Sequence, residues 1–158
     1  MTHPAPDPLK DSAARPQPGS ISLEFDLAHS PTKVWRALTD PALLAEWLLP
    51  AVGLTLKPGA VFTFRAQPQP GAGWDGVVNC RFLEIEPQRK LSWSWVVGDI
   101  DTVVTFTLTP TIQVGGGEGT RLSVVQTGFR PDQKQAFGGA SYGWKMMSGK
   151  LIDLLGRV

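Results

Sequence analysis

The side chains that could carry out chemistry are few and widely separated in this 158-residue sequence. It has two histidines, His3 and His29, and a single cysteine, Cys80. A catalytic triad needs a nucleophile, a base and an acid on one surface, and no Ser/His/Asp set can be assembled from positions predicted to face inward. The same residues lack the spacing of a metal-binding motif. The sequence therefore predicts no catalytic residues, no metal site and no cofactor.

Three further features have ordinary structural explanations. Asp99 and Asp101 flank a predicted tight turn, where aspartate is favoured by its local hydrogen bonds. The glycine-rich segment 115–119 lacks the lysine and the following helix of a phosphate-binding loop, so it predicts a hairpin connection. Cys80 is interpreted as a small strand residue rather than a reactive thiol.

Large aromatic residues form the most prominent remaining set, and their spacing places them on single faces of strands. Phe62 and Phe64 share one face of a predicted strand, because successive strand residues point to opposite sides. Trp93 and Trp95 alternate with serines in the same way, which is typical of a half-buried strand. These faces indicate either a packed core or the wall of an apolar binding site.

The two strands that follow extend these faces. Their same-face residues are Thr102, Val104, Phe106 and Leu108 on one strand, and Leu122, Val124 and Gln126 on the other. Thr102 and Gln126 are the polar members, and a buried polar group requires a hydrogen-bond partner. That partner could be a ligand, another side chain or a water molecule.

The C-terminal segment predicts a long amphipathic helix. Its apolar residues recur at intervals of three and four and give one continuous stripe: Phe137, Ala140, Trp144, Met147, Leu151 and Leu154. Glycines at positions 138, 139, 143 and 149 interrupt it, and each costs about 0.8–1 kcal/mol relative to alanine in a helix interior. They predict local irregularity, a helix start nearer Gly139 than Pro131, or the close approach of another group.

The segment from Ser30 to Trp47 predicts two short helices in succession. Ser30 and Asp40 are suitable N-caps, and each precedes a proline at the first helical position, where the missing N–H is not needed. A strand-like run, 21–27, comes before this pair. The strands after it have no helices between them, so the sheet should be antiparallel, with about six strands and a bulge near Phe82.

The length and charge of the chain exclude further classes of protein. The predicted organisation is a disordered proline-rich tail, residues 1–19, and one domain, residues 20–158. The formal net charge is +1 and the basic residues are scattered, which argues against a nucleic-acid interface. No apolar run is long enough to cross a bilayer and no export signal is visible, so the predicted location is cytoplasmic.

The order and spacing of these motifs resemble a known family. The relevant segments are Val34–Pro41 with Trp47, Leu91–Trp95, Gly119–Leu122, Gly128-Phe129 and Gly143-Trp144 leading to Leu151. They are similar to the family named after the C-terminal domain of the activator of the heat-shock-protein-90 ATPase. That family lies within the START / Bet v 1-like (SRPBCC) superfamily. The resemblance implies an α+β helix-grip fold: a strand, two short helices, a curved antiparallel sheet of about six strands and a long C-terminal helix.

In the resembled fold the sheet curls around the long helix and leaves an apolar cavity between them. The residues of this sequence expected to line it are Phe62, Phe64, Trp93, Trp95, Val104, Phe106, Gln126, Trp144 and Met147. Trp47, with the loop after it, is expected at the cavity entrance. Aromatic walls with few polar groups suit a small hydrophobic ligand.

Three functions follow from this interpretation. The favoured hypothesis is a binding protein for a small hydrophobic molecule. The second is a protein-interaction module, co-chaperone-like or stress-related, for which an exposed apolar patch around Trp47 to Leu54 is expected. The third is an enzyme of the polyketide cyclase or dehydratase type, which is the less favoured because no acid–base group is apparent. A monomer and a homodimer are both compatible with the sequence.

Overall fold

The chain folds as one curved antiparallel sheet with three helices on its concave side. The computed structural model describes residues 19–68, 71 and 74–158. The strands are β1 (Ser20–Leu27), β2 (Ala51–Val52), β3 (Val61–Arg65), β4 (Val77–Glu86), β5 (Lys90–Val97), β6 (Ile100–Ile112) and β7 (Glu118–Thr127). The helices are α1 (Pro31–Thr39), α2 (Pro41–Trp47) and α3 (Lys134–Arg157). Apart from Gly19, the predicted tail lies outside the described residues.

The sheet has the strand order β1-β7-β6-β5-β4-β3-β2, and every neighbouring pair is antiparallel. Strands β3 to β7 follow each other as a meander, whereas β1 pairs with the last strand through contacts such as Ser20 with Thr127. The two outer strands, β1 and β2, do not meet, so the sheet is not a closed barrel. The predicted α+β helix-grip architecture is confirmed.

The caps predicted for the first two helices are present. The Ser30 hydroxyl accepts a hydrogen bond from the backbone N–H of Lys33 at 3.2 Å. The Asp40 carboxylate accepts one from the N–H of Ala42 at 3.0 Å. Each cap satisfies a backbone donor that the first helical turn leaves without an internal partner. The short connection between α1 and α2 is therefore built by Asp40, which ends one helix and starts the next.

The predicted bulge in β4 is also present, as a shift in register between Phe82 and Glu84. The shift leaves both Leu83 and Glu84 facing outward, so that Ile85 points back toward the core on the same side as Phe82.

The prediction of a late start for the last helix is wrong, because α3 begins at Lys134. The segment before it is held by side-chain hydrogen bonds. The Gln133 amide donates to the carbonyl of Asp99 at 3.1 Å and accepts from the N–H of Arg130 at 2.8 Å. Since Asp99 lies in the β5–β6 turn, these bonds fix the helix start against the sheet.

The suggestion that the helix glycines allow a close approach is also wrong. A Cβ atom placed on Gly138, Gly139 or Gly149 would meet no atom within 4 Å. The one added at Gly143 would meet only the Met147 methyl group, at an ordinary 3.7 Å. These glycines therefore lower helix stability without a packing reason in this structure.

Candidate functional site

The concave face of the sheet carries a continuous aromatic cluster. Phe62 and Phe82 lie with ring centroids 4.7 Å apart, and Phe64 lies 5.3 Å from Phe62. Trp93 on β5 packs against all three and lies 5.1 Å from Phe106 on β6. Neighbouring strands therefore bring together aromatic residues that are far apart in sequence, as the strand alternation predicts.

The last helix completes this cluster from the opposite side. The Trp144 ring lies 6.0 Å from Phe106 and 6.1 Å from Trp95. Val104 is buried beneath it, and Met147, one turn further along α3, is partly buried against the core. The structure thus brings together the nine residues expected to line a cavity.

Burial shows how tightly this region is packed. Phe64, Trp93, Val104 and Phe106 are 0% exposed, and Trp144 is 2% exposed. Side chains so completely covered leave no room for a ligand against them in this conformation. Trp95 and Met147 are only half-buried. A ligand would therefore reach the inner cluster only if side chains or α3 moved.

The polar members of the interior satisfy each other. The Trp144 indole N–H donates to Gln126 Oε1 at 2.7 Å, and Gln126 Nε2 donates to the Thr102 hydroxyl at 2.8 Å. Thr102 in turn donates to the backbone carbonyl of Trp95 at 2.8 Å. Because an indole N–H is only a donor, it fixes the orientation of the Gln126 amide. The partner of Gln126 is therefore internal, one of the alternatives that the sequence left open.

Trp93 differs from the other buried tryptophans. Its Nε1 is buried and has no hydrogen-bond partner within the part of the chain that the structure describes. In contrast, Trp47 donates to the carbonyl of Ala37 at 2.8 Å, and Trp74 donates to that of Val77 at 3.1 Å. An unsatisfied buried donor costs about 1–3 kcal/mol. Sequence reasoning missed this feature, because alternation locates a ring but not the atoms around its N–H.

Trp47 does not lie at a surface opening, which corrects the expectation for an entrance residue. Its side chain is 2% exposed, its ring packs edge-on against Phe106 at 6.3 Å, and its N–H is bonded within the protein. Two buried contacts and a satisfied donor make it a core residue. Any opening at this end of the sheet would be lined by the more exposed segment after it, which includes Val52 and Leu56.

A groove that the sequence did not predict lies where α3 begins. It encloses about 440 Å³ and is lined by Gly19, Phe129, Arg130, Pro131, Lys134 and Phe137. Phe129 and Phe137 pack edge-to-face at 5.4 Å and form its apolar part. No sequence pattern signals this groove, since Gly19 and Phe129 meet only because β1 pairs with β7.

The groove also has charged residues at its rim. Arg130 lies 3.1 Å from a carboxylate oxygen of Asp99 and 3.2 Å from one of Asp132. The hydrogen bond from Arg130 is the main cause that lowers the pKa of Asp132. The Arg130 guanidinium is thus shared between two exposed carboxylates, those of Asp99 and Asp132. These ion pairs organise the loop before α3.

The ionisable groups near the interior are poorly suited to proton transfer. Burial raises the pKa of the Cys80 thiol to about 12, so the thiol stays neutral and unreactive. Desolvation, with a smaller effect from Lys33, lowers the pKa of His29 at the start of α1. Within the residues 19–68, 71 and 74–158, no group of three or more His, Cys, Asp or Glu side chains could hold a metal ion.

Comparison with known proteins identifies the family. The sequence matches the family model described as activator of Hsp90 ATPase homolog 1-like protein over residues 28–156. The chain belongs to this family. The match spans the segment from just before α1 to the end of α3, and therefore nearly the whole fold. Among curated proteins, none matches the sequence significantly.

Solved structures of similar proteins agree with this assignment to the family. Protein MLL2253 from Mesorhizobium loti is 40% identical, with a TM-score of 0.77 over 88% of this chain and 98% of its own. CalU16 from Micromonospora echinospora is 26% identical, with a TM-score of 0.63 over 86% of this chain and 75% of its own. The Aha1 dimer from Colwellia psychrerythraea, 18% identical with a TM-score of 0.65 over 86% and 95%, shares the fold.

One negative observation concerns membranes. Among the described residues, no helix combines the length and the apolar character needed to cross a bilayer.

Proposed function

We propose that this protein binds a small, largely apolar molecule between the curved sheet and α3. The observation that carries the proposal is the groove of about 440 Å³ at the start of α3. Its volume falls within the range typical of small-molecule sites, roughly 300–1,000 Å³. The family supports the same interpretation, since its fold holds a helix against a curved sheet.

The groove and the inner cluster lie along one face of α3. Phe137 lines the groove, and Trp144 follows it by seven residues, which is about two helical turns, or about 10 Å. Ala140 lies between them and is only partly buried. A ligand that starts in the groove could therefore extend toward Trp144 along this stripe, if the inner side chains separate.

The glycines of α3 offer a means for such a separation. Gly138 and Gly139 are exposed, lie six and five residues before Trp144 and make no contact that a Cβ would disturb. They weaken the helix at the point where the groove adjoins the packed interior. In this proposal the turns of α3 before Trp144 move outward when the ligand enters.

The decisive test is a search for apolar ligands. Native mass spectrometry would detect a co-purified molecule, and a library of small apolar compounds would be screened for a rise in the thermal unfolding midpoint. Replacing Phe137 with Ala should weaken any specific binding at least tenfold, because it removes one wall of the groove. The matched control is Tyr142→Ala, which changes an aromatic residue 67% exposed on the same helix.

The outcomes of this test are clear. Ligand binding that is lost in Phe137→Ala and retained in Tyr142→Ala supports the proposal. Equal binding to all three proteins would show that the groove is not the site. If no compound of the library raises the unfolding midpoint and no molecule co-purifies, the protein is not a carrier of small apolar molecules.

Protein interaction is a second candidate, and one observation favours it. Three apolar side chains are exposed near the β2 edge of the sheet: Val52 at 52%, Leu56 at 40% and Val61 at 60%. Val52 pairs with Thr63, which follows Val61 by two residues in β3. Because paired residues and residues two apart share a face of the sheet, both valines point to its outer face. The patch expected around Trp47 to Leu54 is thus displaced, because Trp47 and Leu48 are buried.

The partner at this edge would be another protein or a second copy of this chain. Light scattering after size-exclusion chromatography distinguishes a monomer from a homodimer. If the edge is a self-association surface, Val61→Asp should convert the dimer to a monomer, whereas Ile112→Asp, at an exposed position of β6, should not. A protein that is already monomeric at high concentration would exclude the homodimer.

A cyclase-type enzyme has less support. The buried polar side chains that the structure describes are Ser20, Ser92, Thr102, Thr120, Gln126, Gln133 and Ser148, all of them uncharged. Acid–base catalysis requires an ionisable group with a suitable pKa at the reacting atoms.

A further inference from the structure

The indole N–H of Trp93 identifies the chemistry of the ligand. We infer that Trp93 donates a hydrogen bond to a neutral oxygen acceptor, a ketone, ester or ether oxygen, carried by the apolar ligand. This inference rests on the proposed function, because it describes the molecule bound between the sheet and α3. It goes further by specifying the ligand group that meets Trp93, which is neither a hydrocarbon nor a carboxylate.

The indole N–H of Trp93 lacks a hydrogen-bond partner in the protein interior, where polar groups normally have one. Trp93 is 0% exposed, so water at the surface cannot reach its N–H. Four aromatic rings surround it at centroid distances of 5.1–6.0 Å: Phe62, Phe64, Phe82 and Phe106. Phenylalanine offers no oxygen or nitrogen acceptor. The great majority of buried polar atoms are hydrogen-bonded, so this one requires an explanation.

The other buried indole N–H groups of the interior have hydrogen-bond partners. The Trp144 N–H is paired with Gln126, whose amide is paired with Thr102. The Trp47 N–H is paired with the carbonyl of Ala37. A ligand acceptor placed at Trp93 therefore gains a hydrogen bond without breaking an existing one.

The surroundings of Trp93 also determine the charge of the ligand group that can bind there. Phe82, Trp93 and Phe106 provide no positive charge, and the buried polar residues that the structure describes are uncharged. A carboxylate moved into such surroundings would lose its hydration without a counter-charge, at a large cost in free energy. A ketone or ether oxygen loses far less and can accept the single N–H. The part of the ligand that enters the aromatic cluster is therefore apolar and carries a neutral oxygen acceptor.

The test uses two probes of nearly equal shape, 2-acetylnaphthalene and 2-isopropylnaphthalene. The first carries a carbonyl oxygen where the second carries a methyl group. Binding of each is measured by titration to the wild-type protein, to Trp93→Phe and to Trp144→Phe. In Trp93→Phe the preference for the ketone, expressed as the ratio of the two Kd values, should fall about tenfold relative to wild type, as expected for one net hydrogen bond.

Trp144→Phe is the matched control. It removes an indole N–H from the same cluster, but one that is already bonded to Gln126. It should weaken both probes to a similar extent and leave the ratio of the two Kd values unchanged. If the ratio falls equally in both variants, or is unchanged in Trp93→Phe, Trp93 is not the donor to the ligand.

A measurement on the wild-type protein keeps the inference testable if Trp93→Phe does not fold. The indole ¹H–¹⁵N resonances report hydrogen bonding at each tryptophan. The Trp93 proton should move downfield with the ketone and not with the hydrocarbon. An unchanged Trp93 resonance with bound ketone would overturn the inference and indicate an N–H···π contact, as the near-perpendicular Phe62 and Phe82 rings allow. If neither probe and no library compound binds, the proposed function fails and the inference with it.

Discussion

At the scale of single residues, the interior divides into a satisfied polar network and one unsatisfied donor. Gln126 joins β7 to α3 through Trp144 and to β6 through Thr102. It therefore connects three elements with two hydrogen bonds. Trp93, by contrast, is held only by the packing of aromatic rings. The two sites lie in one cluster, yet they should respond differently to substitution.

Replacing Gln126 with Leu, which has a similar volume, should destabilise the protein. The Trp144 N–H would lose its acceptor in a buried place, and such a loss costs about 1–3 kcal/mol. Chemical denaturation with urea would measure the change in the free energy of unfolding. The control is Gln113→Leu, since Gln113 makes its hydrogen bond in an exposed hairpin. Equal effects of the two substitutions would contradict the importance assigned to the network.

Cys80 should resist thiol reagents while the protein is folded. Burial raises the pKa of its thiol to about 12, so the reactive thiolate is scarce at pH 8, and the side chain is also covered. Modification by iodoacetamide, followed by mass spectrometry, should be slow in buffer and rapid in denaturant. Rapid modification of the native protein would mean that this part of β4 opens readily.

The same pKa shift predicts the sign of a pH effect. The folded thiol has a higher pKa than the ordinary value of 9.0, so the folded state favours the neutral form. This contribution to stability is complete below pH 9 and is lost as the pH rises toward 12. Cys80→Ala should therefore lose less stability than wild type over that alkaline range, in denaturation curves recorded at several pH values.

At the scale of elements, α3 combines an apolar stripe with glycines that have no packing role. Its buried residues include Trp144, Leu151 and Leu154, which hold the helix to the sheet side. The glycines at 138 and 139 lie in the half that adjoins the groove. The helix is thus anchored by large side chains from Trp144 onward, while the turns before Trp144 are intrinsically weaker.

Substituting Gly138 and Gly139 with Ala should make the protein more stable. Each change should add about 0.8–1 kcal/mol to the free energy of unfolding, because a Cβ meets no atom there. If the weak turns of α3 before Trp144 admit the ligand, the double variant should also bind more slowly, which stopped-flow fluorescence would measure. A double variant no more stable than wild type would refute this account of the helix.

The contrasting control is Gly128→Ala at the end of β7. Gly128 has a φ of 113°, and an added Cβ would lie 2.8 Å from the carbonyl oxygen of Asp101. Positive φ and a backbone contact together should destabilise the protein by more than about 1 kcal/mol. Opposite signs for the two glycine substitutions are the expected result.

Most elements could be predicted from the sequence, because each has a local signal. Alternation gave the faces of β3 and β5, and the caps at Ser30 and Asp40 gave the first two helices. The start of α3 could not be predicted, since it depends on Gln133 bonding to Asp99 in a distant turn. The groove and the buried position of Trp47 depend in the same way on contacts between segments far apart in sequence.

At the scale of the whole molecule, backbone pairing joins the first strand of the chain to the last. The sheet ladder starts at Ser20, which pairs with Thr127, and the carbonyl of Gly19 accepts from the N–H of Phe129. The aromatic cluster, the helix pair and α3 all belong to residues after this point. The core residues that the structure describes lie between Ile21 and Leu155.

Removal of residues 1–18 should leave the unfolding midpoint unchanged, because every core contact described above is retained. Thermal denaturation followed by circular dichroism would measure it, with the full chain as the reference. A fall of more than about 4 °C, equivalent to roughly 1 kcal/mol for a domain of this size, would show that this segment contributes to the fold. The same shortened protein, tested with the apolar library, shows whether the segment affects access to the groove beside Gly19.

The pairing of β1 with β7 has a consequence for how the protein is made. Ser20 leaves the ribosome 107 residues before its partner Thr127. At a synthesis rate of about 5–20 residues per second, β1 waits roughly 5–20 s for that partner. During this time β1 has no native partner strand. Its unpaired backbone groups could then pair with another nascent chain, which leads to aggregation. Slow translation should therefore lower the yield of native protein, and a circular permutant that begins at α1 and places β1 after α3 should be less sensitive to it.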